Sequence, residues 1–297
     1  MIDRRASPKH SPTMPLAYES HGEGIPILFI HGWDLSGAYE ATEWEPIFTR
    51  LSENHTKNTT RYRRIYIDLP GMGISPADET IVNLHSMHDR VAAFIQTHIS
   101  PARFLLVGTS LGGYLARALA TKFADQVLGV LLKVPLIEPN NSKRDVDLAK
   151  PIVQNEAAMS LIPPRLLRSL ASSALVQTQD YIETLLVKMN IAEDSTVTNN
   201  TAVLESIRND PERYSLPLLE SGGEGRFEGP ALILTGRQDD VVGWRDAMRL
   251  MEVYPRASLA VLDRGTHFLP VDEGKVVEGL VGDWLRRVEE MVDSGGL

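Results

Sequence analysis

At 297 residues, 43% of them apolar and 23% charged, the chain has the composition of a soluble globular protein. Its length suits one large α/β domain or a core with an inserted subdomain. A net charge of -9 repels phosphate backbones and anionic membranes, so neither nucleic acid nor a lipid surface is an expected partner. With no cysteine, disulfides, thiolate catalysis and zinc–thiolate sites are excluded.

Residues 1–15 are basic and rich in Pro and Ser but lack an apolar core, so they read as a flexible tail rather than a secretory signal. No apolar stretch approaches the ~18 residues needed to span a bilayer, and the expected compartment is the cytoplasm. The sequons at Asn54, Asn58, Asn140 and Asn199 then read as polar loops rather than glycan sites.

Short apolar runs follow at 25–30, 63–67, 104–107, 127–134, 231–234 and 258–262, with 16–19 as an antiparallel edge strand. Helical periodicity falls at 44–52, 84–99, 110–123, 244–253 and 275–292, and the polar run 52–64 reads as a surface loop. In the last helix Val276, Val277, Leu280, Val281, Trp284, Leu285 and Val288 recur at helical spacing, so one face should pack on the sheet, with Trp284 a core residue. This alternation predicts an α/β fold, a doubly wound and mostly parallel sheet. It stops between 138 and 228, where helical patterns at 148–159, 165–175, 179–191 and 203–208 take over. The expected organisation is a core of 16–137 and 229–297, with 138–228 an inserted helical lid. Apolar lid residues such as Leu167 and Leu186 are candidates for lining a ligand pocket.

The chemistry concentrates at Gly108-Thr109-Ser110-Leu111-Gly112-Gly113, between the run Phe104–Val107 and a helical stretch. A serine on a sharp strand-to-helix turn is held out on a rigid tip with a helix N-terminus behind it, and flanking glycines relieve the crowding. That makes Ser110 a candidate nucleophile. A hydroxyl needs a base, and the base an orienting acid. Asp239 follows one buried run and His267 the next, so both stand with Ser110 at carboxyl ends of strands, where functional residues collect in such sheets.

Five segments together carry a family resemblance: Phe29-Ile30-His31-Gly32-Trp33, Asp68–Ser75, Gly108–Gly113, Gly236-Arg237-Gln238-Asp239 and Gly265-Thr266-His267. From about Leu16 onward the chain resembles a capped member of the α/β-hydrolase superfamily, with the triad order Ser…Asp…His. The resemblance implies Ser110 as nucleophile, His267 as general base then acid, and Asp239 orienting the imidazole. It also implies an oxyanion hole from the backbone amides of Trp33 and Leu111, a structural role for Asp68–Ser75, and no cofactor or metal.

Departures from the pattern narrow the class. A serine nucleophile argues against haloalkane dehalogenases and epoxide hydrolases, and the Gly-Gly-Pro-Gly loop of proline iminopeptidases is missing. Asp34 stands where those dehalogenases and epoxide hydrolases typically have proline; it is a candidate substrate-binding residue, with capping of a turn as the alternative reading. Thr109 replaces the commoner His before the serine, and Thr266 the usual Gly before the histidine. Asp240 and Glu138 are alternative acids, and His31 reads as a brace for the oxyanion loop. His85 and His88 fall at helical i, i+3 spacing but without a third ligand nearby in sequence, so they read as a solvated helix face.

The expected activity is cofactor-independent serine hydrolysis of an ester, thioester or activated amide of a small to medium, largely apolar molecule. The same residues would serve a C–C bond hydrolase or a cyclising enzyme, and a non-catalytic ligand-binding member of the fold is a third reading. A small-molecule substrate is the expected partner, and a homodimer is left open.

Overall fold

The apolar runs too continuous for a half-exposed strand become the middle of a sheet. The computed structural model describes residues 15–54, 61–147, 150–170, 174–195 and 201–295. In it β4 (Phe104–Thr109), β5 (Val127–Lys133) and β6 (Ala231–Gly236) are buried at every position, as strands covered on both faces must be. With β1 (Tyr18–His21), β2 (Ile25–Ile30), β3 (Tyr62–Ile67) and β7 (Ala257–Leu262) they form a seven-stranded sheet ordered β1-β3-β2-β4-β5-β6-β7. β1 pairs antiparallel to β3 at the edge, as expected, and every other pairing is parallel. The carboxyl ends of β4, β6 and β7 therefore share one edge of the sheet.

Helices α1 (Gly37–Asn54), α2 (Leu84–His98), α3 (Leu111–Lys122), α9 (Trp244–Ala247), α10 (Leu250–Val253), α11 (Leu269–Asp272) and α12 (Gly274–Asp293) belong to this core. On α12 the residues Val277, Val281, Trp284, Leu285 and Val288 are buried, and the Trp284 indole donates to the Pro230 carbonyl at 3.1 Å. α1 begins seven residues before the expected start at Trp44, and Pro46 lies inside it. A proline there deprives the Thr42 carbonyl of its helical donor. That carbonyl instead accepts from Lys188 Nζ at 2.7 Å.

Between β5 and β6 the chain forms α4 (Glu156–Met159), α5 (Pro164–Leu170), α6 (Gln179–Ser195), α7 (Thr201–Arg208) and α8 (Pro217–Glu220). The helix expected over 148–159 shrinks to its last turn, with 148–149 outside the described residues. The 244–253 helix is split into α9 and α10, and the short helices α8 and α11 have no counterpart in the periodicity. α4–α6 pack a cluster of their own, built on Ala158, Ile162, Leu166, Leu170, Ile182 and Leu185. Leu204, Ile207, Tyr214 and Leu216, from α7 and the segment after it, join the main core instead. Among the described residues no helix is long and apolar enough to cross a membrane. The sequons at Asn58 and Asn199 and most of the expected tail lie outside the described residues. The expected 52–64 loop is shorter: α1 runs to Asn54 and β3 starts at Tyr62, with 55–60 outside the described residues.

Candidate active site

Ser110 sits between β4 and α3 with φ 52° and ψ -115°, a left-handed conformation that a residue with a Cβ adopts only under constraint. Backbone hydrogen bonds supply the constraint: Ser110 N donates to Lys133 O at 3.0 Å, and Ser110 O accepts from Gly113, Tyr114 and Leu136. The turn needs Gly112 because a Cβ there would stand 1.9 Å from the Ile30 carbonyl oxygen. The loop after β2 lies alongside, since a Cβ on Gly32 would be 3.3 Å from the Ser110 Cβ.

His31 braces that loop, as expected. Its buried Nδ1 donates to Gly32 O at 2.6 Å, while Nε2 accepts from Leu69 N at 2.9 Å. Burial depresses its pKa against the opposing pull of the Gly32 carbonyl and Asp68, so the ring is neutral. Asp68 accepts from Gly37 N and Ile74 N, so the Asp68–Ser75 turn fixes the start of α1. Neither the Trp33 nor the Leu111 amide donates a hydrogen bond among the described residues. Asp34 adopts φ 57° beside Trp33, and its carboxylate faces Arg208 at 3.8 Å. The Arg208 guanidinium lies over the Trp33 ring at 5.6 Å, so the end of α7 closes on this loop.

At the other end of the same sheet edge, His267 Nδ1 lies 2.8 Å from Asp239 Oδ2. Asp239 is 1% exposed, and its other oxygen accepts from the amides of Val241 and Val242. Of the three candidate acids, Asp239 is the one joined to the imidazole. Glu138 caps a turn through Asn140 N at 2.9 Å, and Asp240 makes no described bond to His267. Leu186 packs in the α4–α6 cluster, whereas Leu167 on α5 is 43% exposed.

The two threonines that depart from the family pattern both find buried or partly buried carboxylates. Thr109 Oγ1 donates to Glu40 Oε2 at 3.0 Å, within a buried group where Lys133 pairs with Glu40 at 3.7 Å and with Glu43 more closely. Burial alone would depress the Lys133 pKa, but the two glutamates outweigh it and hold the ammonium charged. Thr266 donates both its amide and its hydroxyl to Asp272 Oδ2, at 2.6 and 2.8 Å. Loss of hydration pushes Asp272 up to about 6 despite these donors. Sequence reasoning missed Glu40, Lys133 and Asp272. The signal available was the two threonines themselves, each a hydroxyl where the pattern has another residue.

His85 is solvated as expected, but His88 is not. His88 is buried, and Asp89 supplies a third ligand, the three ligand atoms lying within 4.8 Å of one another. The Lys122 ammonium stands 3.7 Å from Asp89, and His88 Nε2 is buried without a partner to orient the ring as metal ligands are oriented. The group carries no metal assignment.

Residues 27–279 match the family model described as the alpha/beta hydrolase family. The chain belongs to that family. It is 28% identical over 262 residues to a pimeloyl-[acyl-carrier protein] methyl ester esterase of Chromobacterium violaceum, covering 86% of this chain and 91% of that protein. The enzyme of the same name from Aeromonas hydrophila is 33% identical over 115 residues, 38% of this chain and 39% of that one. A match to that of Legionella pneumophila likewise spans 36% of each, so the chain covers little more than a third of several relatives. Among solved structures, an alpha/beta superfamily hydrolase from Oenococcus oeni superposes with a TM-score of 0.78 at 27% identity, covering 92% of this chain and 96% of that one. An esterase from Exiguobacterium antarcticum, at TM-score 0.62 and 19% identity over 91% and 95% of the two chains, is alike in fold.

Proposed function

We propose that the chain is an ester hydrolase in which Ser110, His267 and Asp239 form a catalytic triad. The observation that carries this reading is the convergence on one sheet edge of a left-handed Ser110 and an imidazole paired with a buried carboxylate. Ser110 Oγ attacks the ester carbonyl carbon while its proton passes to His267 Nε2. Asp239 holds the ring with its proton on Nδ1 and stabilises the imidazolium that forms. The free amides of Leu111 and Trp33 receive the oxyanion, and the Leu111 amide has the further advantage of heading a helix. Collapse of the tetrahedral intermediate breaks the C–O bond, and the leaving alcohol takes the proton from His267. Water, deprotonated in turn by His267, then cleaves the acyl-enzyme to release the acid and restore Ser110.

The helical insertion, α4–α6 above all, acts as the cap that shapes the acyl site. Leu186 and Leu167 bear on acyl size, Leu167 from a more exposed position. Relatives named as methyl ester esterases point to esters of small alcohols carrying an extended acyl chain as the substrate class. The test is a serine-directed fluorophosphonate together with an aryl ester chain-length series. Rapid stoichiometric labelling and turnover, both lost in Ser110→Ala, are the expected results. Absence of labelling in folded protein would favour a ligand-binding member of the fold.

A further inference from the structure

The loop that carries His267 is tied to the helical insertion at two points. Asp272, in α11, receives the Thr266 amide and hydroxyl on Oδ2, while its Oδ1 accepts from the hydroxyl of Tyr181 in α6. Thr266 immediately precedes His267, and its Oγ1 also accepts from Phe268 N at 3.1 Å, so the backbone on both sides of the histidine hangs on this threonine. Phe268 itself packs into the α4–α6 cluster. α6 is seated at a further point on the core, where Lys188 caps the Thr42 carbonyl that Pro46 leaves without a donor. A glycine before the histidine, as in the common pattern, would leave Asp272 without the hydroxyl and Phe268 N without its acceptor.

We propose that Asp272 is a positioning residue that couples the seat of α6 to the imidazole of His267, one carboxylate oxygen holding the cap and the other the histidine loop. It touches no reacting atom and acts through Thr266. The inference rests on the reading of His267 as general base. Closure of the insertion over an acyl chain would then set the histidine's placement as well as enclose the chain, through a path of two hydrogen-bonded side chains.

Tyr181→Phe is the discriminating variant, because it removes the hydroxyl and keeps the ring in its packing. With an aryl acetate as probe, kcat should fall about 5- to 10-fold with KM nearly unchanged, the size expected for one lost hydrogen bond in the transition state. The downfield proton resonance of His267 Nδ1–H, read by NMR, should shift or broaden at the same time. Asp272→Ala should lose more, and Tyr181→Phe should add nothing in that background. Asp272→Asn, whose amide oxygen still accepts from Thr266 N, should recover part of the loss. If Asp272→Ala does not fold, Tyr181→Phe and Asp272→Asn carry the comparison, each with thermal unfolding as a check on folding. An unchanged kcat and resonance in Tyr181→Phe would overturn the proposal, as would a change in KM alone or losses that multiply in the double variant. His267→Ala separates the two ideas: full activity there removes the triad reading itself, whereas an inactive His267→Ala beside an unaffected Tyr181→Phe removes only the coupling.

Discussion

The Ser110 turn and the His267 loop reach the same edge of the sheet, but they are held there by different kinds of contact. Around Ser110 the backbone does the holding: Lys133 O, Leu136 N and the first turn of α3 fix both its peptide groups, and Ile30 O leaves room only for glycine at 112. Around His267 the holding is by carboxylates, Asp239 on the ring and Asp272 on Thr266. The threonine beside each site meets a carboxylate, but the two carboxylates differ in what else they hold. Thr109 meets a glutamate already paired with Lys133, while Thr266 meets an aspartate whose other oxygen holds the insertion. Backbone packing has two outcomes, folded or not, whereas side-chain acceptors can be retuned by charge and by movement of a distant helix. The proposed nucleophile is thus built into the sheet, and the proposed base is open to adjustment.

The largest effects should come from the two groups proposed to react, Ser110 and His267. Ser110→Ala and His267→Ala are each expected to lower kcat by about 10³-fold or more with little change in melting temperature, because backbone bonds hold the Ser110 turn and the Thr266–Asp272 contacts still hold the His267 loop. The double variant should be scarcely worse than either single one. Multiplying losses, measured as kcat/KM on one aryl ester, would mean that the two do not act together. Next in size is the acid: Asp239→Asn should cost about 10²-fold or more in kcat, since an amide favours the wrong imidazole tautomer, and Asp240→Asn should cost less than about threefold. A reversal of that order would sink the assignment of Asp239.

The same contrast explains what could be read from the sequence. The strands at Phe104–Thr109 and Val127–Lys133, the glycines around Ser110 and the Gly-x-x-Asp spacing are local patterns, so the sheet and the triad candidates were legible. The first two turns of α1 were not, because Pro46 argues for a break and the donor that makes it tolerable, Lys188, lies 146 residues away. Glu40 stands 69 residues from Thr109, and no local period links them. Asp272 is only six residues from Thr266, yet its role depends on Tyr181, 91 residues off, in a helix that periodicity placed but could not orient. His88 read as solvated because the helical pattern gives no sign of what packs over it.

Lys133 offers a way to sharpen the comparison on the nucleophile side through stability. Lys133→Met keeps much of the volume but leaves Glu40 and Glu43 buried without their cation, and Glu40 is already held above its ordinary range by burial. Breaking a buried pair from one side typically costs about 3–5 kcal/mol, read as a lower denaturant midpoint with an unchanged slope. Fluorophosphonate labelling of the fraction that remains folded should continue, because Ser110 is held by backbone. A loss below about 1 kcal/mol would mean that the cluster is not desolvated as its burial implies.

The smallest effect should appear as a pH dependence on the histidine side. Asp272 has no cationic partner among its described contacts; desolvation pushes its pKa up to about 6 from an ordinary 3.8, with Glu273 adding to the shift and Tyr181 and Thr266 opposing it. Its folded state therefore binds a proton more tightly than the unfolded chain does. The sign follows: its contribution to stability is fully present below about pH 4 and is lost as pH rises through about 6, by about 1–3 kcal/mol. Asp272→Asn removes that titration. The stability of the variant relative to the parent should therefore rise as pH increases from about 4 to 7, whatever constant offset the altered hydrogen bonds introduce. Denaturant unfolding of both proteins across that range measures the difference directly, and parallel curves would exclude Asp272 as the titrating group. The three donors on Asp272 call for the charged carboxylate, the form that this desolvation disfavours. The residue thus works against its own burial to hold the loop, which is why an unpaired carboxylate here, unlike Glu40 beside Lys133, should leave a mark on the pH curve.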